Sequence, residues 1–240
     1  MTPFREETIG EARLIMADCR DVLPTLGSVD VLVTDPPYGV DFKGKATKHT
    51  QASKDFSGGY LSGDTDIGPE IVRLALALVQ RGVVFPGTRM MFDYPKPYEI
   101  GSVYCPSGAG RGRWGFMVFN PMLFYGMGLP HTRQGPSGFE SFDTVEDCGH
   151  PCPKPLRWML WAVNKCSLPG QAVLDPFMGS ALLEWRARDW DERSSGLRKS
   201  RVILTSRAVA SNRPTVNETY LLSRPQPPRQ SRRLCCDRRE

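Results

Sequence analysis

No stretch of this 240-residue chain approaches the ~20 consecutive apolar residues that a membrane-spanning helix needs. The N-terminus, MTPFREETIGEARL, lacks the apolar core of an export signal, so a cytoplasmic location is expected. The seven cysteines are odd in number and scattered except for Cys235-Cys236, which argues for reduced thiols and against a disulfide scaffold. Cys148, His150 and Cys152 lie close together, but a fourth ligand is not evident and the spacing fits no common zinc pattern, so no metal is expected. The sequence has no internal repeat and no GxGxxG dinucleotide fingerprint. What it does have is an ordinary globular composition, 40% apolar and 24% charged, which excludes wholesale disorder and collagen-like structure.

Charge is unevenly spread. Ala181–Glu240 carries 14 basic and 7 acidic residues, a net of +7, which leaves a net of −2 for Met1–Ser180. A basic tail suggests nucleic-acid contact, with a solvated or poorly ordered tail as the plain alternative.

Along the chain, apolar strands alternate with helical patterns. Residues 13–18 read as a short strand ending at Asp18, and 19–26 as a short helix or turn. Val29–Thr34 reads as a buried strand that stops at Asp35-Pro36-Pro37, because prolines cannot donate to a sheet ladder. Residues 41–68 read as a long polar loop. Pro69 to Gly82 reads as a helix with Ile71, Leu74, Leu76, Leu78 and Val79 on a broad apolar face, and 88–94 as a strand. Residues 95–150 read as irregular, with one strand at 116–125. PKPLRWMLWAVNKC reads as a helix, and QAVLD as a strand ending at Asp175. This alternation predicts an open, mostly parallel α/β sheet, whose ligands bind beyond the carboxyl ends of strands.

Two strand ends carry unusual chemistry. Asp35-Pro36-Pro37-Tyr38 offers a carboxylate, carbonyls without N–H donors and an aromatic plane, a set that suits a planar group bearing an amine. Stacking on the tyrosine would contribute ~1–3 kcal/mol. The plainer alternative is that two prolines merely end a strand and the tyrosine packs. The second motif is Asp175-Pro176-Phe177-Met178-Gly179-Ser180, whose glycine permits close backbone approach to a ligand.

With HPCPKPL at 150–156, these segments resemble the amino-group DNA methyltransferases, which methylate adenine N6 or cytosine N4 with S-adenosylmethionine. The order, with DPPY before HPxxKP and then LDPFMGS, is that of the permuted members, and the likeness covers about residues 13–180. The resemblance implies a Rossmann-like α/β methyltransferase sheet with helices on both faces. It implies a catalytic domain at 1–180, with target recognition in 39–68 and 95–150. It further implies that Asp35, with the Pro36 carbonyl and rigid Pro37, accepts hydrogen bonds from the target amine while Tyr38 stacks on the extruded base. Asp18, Lys154, Asp175, Phe177 and Gly179 would line the cofactor pocket. Asp35 in the motif favours adenine N6 in double-stranded DNA, with cytosine N4 as the alternative. Lys43, Lys45 and Lys48 follow the DPPY loop and are expected at DNA phosphates. Arg111 and Arg113, beside Trp114, are candidates for phosphate or base contact, with a loose surface loop as the alternative.

After Ser180 the pattern breaks. The resemblance implies further glycines, a helix and a strand ending in an acidic residue, whereas this chain continues ALLEWRARDWDERSS. Shifting the reading frame from Ala181-Leu182 changes this. Asp189-Trp190 then forces leucine, Trp190-Asp191 forces glycine, and Asp191-Glu192 gives arginine or a stop. The degenerate positions around that run permit GIE and later YFDIA, as the resemblance leads one to expect. Residues 181–240 therefore read as out-of-frame, poorly ordered sequence, and cofactor binding is expected to be weak or absent. A non-catalytic DNA-binding remnant is the rival of another class, and a poorly folding product a third possibility.

Overall fold

The chain opens with an antiparallel hairpin, β1 (Arg5–Ile9) and β2 (Ala12–Met16), in the computed structural model, which describes residues 5–9, 12–39, 67–108, 110–129, 135–143, 154–177 and 201–206. After β2 come α1 (Cys19–Val22), a 3-10 turn at Leu23–Thr25, and β3 (Val29–Thr34). Then follow α2 (Gly68–Leu76), β4 (Val79–Val84), α3 (Gly87–Met90), β5 (Glu99–Tyr104), β6 (Gly110–Arg111) and β7 (Phe116–Met117). The remaining elements are β8 (Phe119–Gly126), β9 (Gly138–Glu140), α4 (Leu156–Cys166), β10 (Ala172–Asp175) and β11 (Arg201–Ser206). Of two compact units, Met1–Val209 holds all of these elements, and Ala210–Glu240 lies outside the described residues.

The main sheet runs β1-β2-β11-β10-β3-β4-β8-β5-β9. From β2 to β4 every pairing is parallel, so the carboxyl ends of β2, β11, β10, β3 and β4 share one edge. β8 is antiparallel to both β4 and β5, so β5 also points its carboxyl end to that edge. β6 and β7 form a separate hairpin between the end of β5 and the start of β8, and so project from the same edge.

β3 is mostly apolar because both of its faces are covered, as expected for a central parallel strand; its two polar residues, Asp30 and Thr34, bond to the β10 segment. Leu32 packs on one face with Ile71, Val72 and Ala75 of α2 and Leu174 of β10. Val31 and Val33 pack on the other with Trp158, Met159 and Ala162 of α4 and Val173 of β10. Helices thus cover both faces of an α/β sheet.

Several sequence expectations need correction. The helix read to Gly82 ends at Leu76, and β4 starts at Val79. The run LALALVQRGVV satisfies helical and extended periods alike, and Leu74, assigned to the apolar face, is 40% exposed. Gly82 is no helix exit. It sits inside β4 opposite Leu32, where an added Cβ would come within 2.8 Å of the leucine Cβ. Residues 88–94 form α3 and turns, not a strand. The irregular reading of 95–150 missed β5, whose Gly101 lets the Ser137 carbonyl approach closely, and the strand expected at 116–125 is centred on β8. β1 was also unanticipated. Within the segment read as a poorly ordered tail, residues 201–206 supply β11, paired on both sides.

A proline in a doubly paired strand removes a ladder hydrogen bond. Ile203→Pro should therefore lower the unfolding free energy by at least ~1 kcal/mol, the order of one lost buried hydrogen bond. An unchanged denaturant midpoint would place the 201–206 segment outside the sheet.

Candidate active site

β3 and β10 are direct neighbours, with Val31 opposite Val173 and Leu32 opposite Leu174. The two unusual motifs therefore leave the sheet side by side. Thr34, the last residue of β3, donates from Oγ1 to Asp175 Oδ1 at 2.6 Å, and both residues are buried. The Phe177 N–H donates to the same oxygen at 3.0 Å. Burial pushes the Asp175 carboxyl up to about 7, against the two hydrogen bonds that favour its charged form, and the Asp35 charge raises it further.

Beyond Thr34 the chain turns, with Pro36 buried and Asp35 and Tyr38 half-buried. The Tyr38 hydroxyl donates to Asp35 Oδ1 in a short hydrogen bond. Lys154 reaches the same corner from just ahead of α4. Its ammonium donates to the Tyr38 hydroxyl, lies 3.3 Å from Asp35 Oδ1, and stands 4.5 Å from the centre of the Tyr38 ring. The rings of Phe85 and Trp158 flank it at 5.9 Å each. Trp158 is itself fixed by donating from Nε1 to Ser141 Oγ at 2.8 Å. Lys154, expected on the cofactor side, is thus placed against the Asp35–Tyr38 pair.

Two supporting residues escaped sequence reasoning. Gly87, just past β4, has φ of +65°, and an added Cβ would lie 2.7 Å from the Tyr38 ring. The tyrosine packs against bare backbone that only glycine offers there. Phe85-Pro86-Gly87 was legible as a turn, but nothing in the sequence ties it to Tyr38. Tyr94 packs its hydroxyl near Pro36, in space kept open by Gly68, where an added Cβ would clash with that oxygen. The hydroxyl is buried with no hydrogen-bond partner among the described residues, and burial with the nearby Asp35 charge raises its pKa.

Asp18 follows β2 at the same edge and caps α1 by accepting from the Arg20 N–H at 3.0 Å. The Arg20 guanidinium grips both its carboxylate oxygens, at 3.0 and 2.6 Å. β11 separates β2 from β10, so Asp18 and Asp175 stand about two strand spacings apart, ~10 Å across the sheet. Arg113 and Trp114 are exposed at the tip of the β6–β7 hairpin. Thr88 Oγ1, beside Gly87, lies 3.5 Å from Met117 Sδ of β7 and ties that hairpin to the wall of the Tyr38 corner. Arg111 belongs to β6. Lys43, Lys45, Lys48, Gly179, Cys148, His150 and Cys152 lie outside the described residues.

The sequence matches no protein-family model and no curated protein. Among solved structures, the chain is similar to the M1.HpyAVI-SAM complex, with a TM-score of 0.55 and 17% identity over 82% of this chain and 93% of that one. M1.HpyAVI without the ligand in its name gives a TM-score of 0.52 at 16% identity, covering 82% and 92%. The cytosine-N4-specific PvuII DNA methyltransferase gives a TM-score of 0.55 at 12% identity, covering 83% of each chain. These likenesses show the fold, a Rossmann-like α/β sheet.

Two outcomes follow from the geometry. Gly87→Ala should displace the Tyr38 ring and destabilise the protein by ~1–3 kcal/mol, the range for overpacking and backbone strain, as read from thermal unfolding. Asp175 has a folded-state pKa above its ordinary value of 3.8, so its contribution to stability is full below about pH 4 and is lost as pH rises through about 7. Asp175→Asn should flatten the pH dependence of the melting temperature across that window. An identical profile in the variant would contradict a buried carboxyl there.

Proposed function

We propose that this protein is a DNA amino methyltransferase acting on adenine N6, with S-adenosylmethionine as its methyl donor. The observation that supports it most is the adjacency of the two motif strands, which sets the Asp35–Tyr38 corner beside the Asp175–Phe177 turn. A likeness in fold to a SAM complex and to a cytosine-N4-specific DNA methyltransferase agrees with this reading.

Asp35 and the Pro36 carbonyl accept hydrogen bonds from the exocyclic amine, which localises a lone pair otherwise spread into the ring. Tyr38, seated on Gly87, offers its face to the base, and the base leaves the duplex at a cost of a few kcal/mol. S-adenosylmethionine, when bound, supplies an electrophilic methyl group on a sulfonium. Asp18, Asp175, Phe177 and Gly179 are the residues that would hold it. Lys43, Lys45, Lys48, Arg111 and Arg113 contact DNA phosphates, so binding weakens steeply with salt.

The tail limits this activity. β11 occupies the sheet position beside β10 and ends Leu204-Thr205-Ser206, with no carboxylate to meet a ribose. We read residues 181–240 as the product of a one-base deletion after Ser180. Cofactor affinity is accordingly weak, and micromolar binding in a calorimetric titration would contradict that.

The direct test incubates DNA with methyl-labelled S-adenosylmethionine and identifies the labelled nucleoside. Slow formation of N6-methyladenine is expected, reduced about 100-fold or more in Asp35→Ala, the scale for losing a positioned polar group in an active site. Label in N4-methylcytosine would reassign the base. No label, together with salt-sensitive DNA retention, would favour a non-catalytic binding remnant.

A further inference from the structure

The Asp35–Tyr38 corner already holds an amine, and it is the protein's own. Lys154 presents an N–H donor to the Tyr38 hydroxyl, a positive charge to Asp35 at 3.3 Å and a position 4.5 Å from the tyrosine ring centre. The Asp35 carboxylate and the Tyr38 aromatic plane are two features the corner would also offer the exocyclic amine of a base. Building on the amine-accepting reading of that corner, we propose that Lys154 is an exchangeable occupant. In the free protein its ammonium holds the place of the target amine, and the base enters by displacing it.

The physical case rests on what the corner needs when empty. Asp35 is 24% exposed, so it is partly desolvated, and an unpaired charge in that setting is costly. Lys154, 13% exposed and boxed by Tyr38, Phe85 and Trp158, offsets that cost. A lysine suits the task because its ammonium rides on a flexible four-carbon stem with three rotatable donors, so it withdraws without moving the backbone. Arginine, with its rigid planar fork, would grip the carboxylate in one geometry. Exchange has a consequence for selectivity. While the lysine occupies the corner, apparent affinity for any base is reduced by the fraction of molecules in which the corner is open. A base that makes few contacts elsewhere does not displace it.

The prediction runs opposite to that for a lysine that merely supports the site. Lys154→Met keeps the length of the side chain and removes the ammonium. It should bind adenosine about tenfold more tightly than the wild type, the scale of one hydrogen bond to a charged group. Lys154→Gln should move the same way. Purine riboside, which lacks the exocyclic amine, should show no such gain, and Asp35→Ala in the Lys154→Met background should abolish it. The wild type gives a second measurement that needs no variant. Adenosine should speed acetylation of Lys154, read by peptide mass spectrometry, whereas purine riboside should not. Adenosine preferred over purine riboside by the wild type, in an Asp35-dependent way, with no tightening in Lys154→Met and no change in acetylation, would overturn the exchange alone. No preference for adenosine in either protein would overturn the amine-accepting corner as well.

Discussion

One buried hydrogen bond, from Thr34 to Asp175, joins the two strands on which the site depends. β3 and β10 are far apart in sequence and adjacent in space, and the sheet holds them in parallel register. Each ends at the same edge, so the two loops leave the sheet side by side. Beyond Thr34, two prolines stop the ladder and turn the chain outward. Beyond Asp175, the Phe177 amide folds back onto the carboxyl and starts the second turn. Were the strands separated by another, the Asp35–Tyr38 corner and the second turn would not leave the sheet side by side.

The corner is supported from three directions. The turn after β3 supplies Asp35 and Tyr38, the turn after β4 supplies the bare Gly87 surface beneath the ring, and the segment just ahead of α4 supplies Lys154. The β6–β7 hairpin hangs from the same wall through Thr88 and Met117, with Arg113 and Trp114 facing solvent. An open sheet edge thus combines a small polar corner with a basic, aromatic projection.

The parts of this arrangement that were legible in the sequence are those dictated by short-range chemistry. A strand covered on both faces is mostly apolar, and a double proline ends it, so Val29–Thr34 and the turn after it were readable to the residue. The same holds for β10. For α4, spaced apolar residues follow a proline entry and bury Trp158, Met159 and Ala162. The boundary between α2 and β4 was not readable, because LALALV serves either period; the helix keeps Leu74–Leu76 and the strand begins at Val79. β5 was hidden by Gly101, a residue that weakens strand propensity but here admits a neighbouring backbone. The partners of Lys154 were invisible because a contact across 116 residues leaves no local trace. β11 was unexpected for a related reason: Val202, Ile203 and Leu204 carry strand propensity, but the sequence around them gives no cue to a slot between β2 and β10.

The proposal that Asp35 receives an exocyclic amine beside the turn at Asp175 is tested by a crystal structure with adenosine and S-adenosylhomocysteine bound together. The adenine amine is expected within hydrogen-bonding distance of Asp35, its ring against Tyr38, and the sulfur on the side of the Asp175–Phe177 turn. An amine turned away from Asp35, or a thioether lodged in a different crevice, would contradict it.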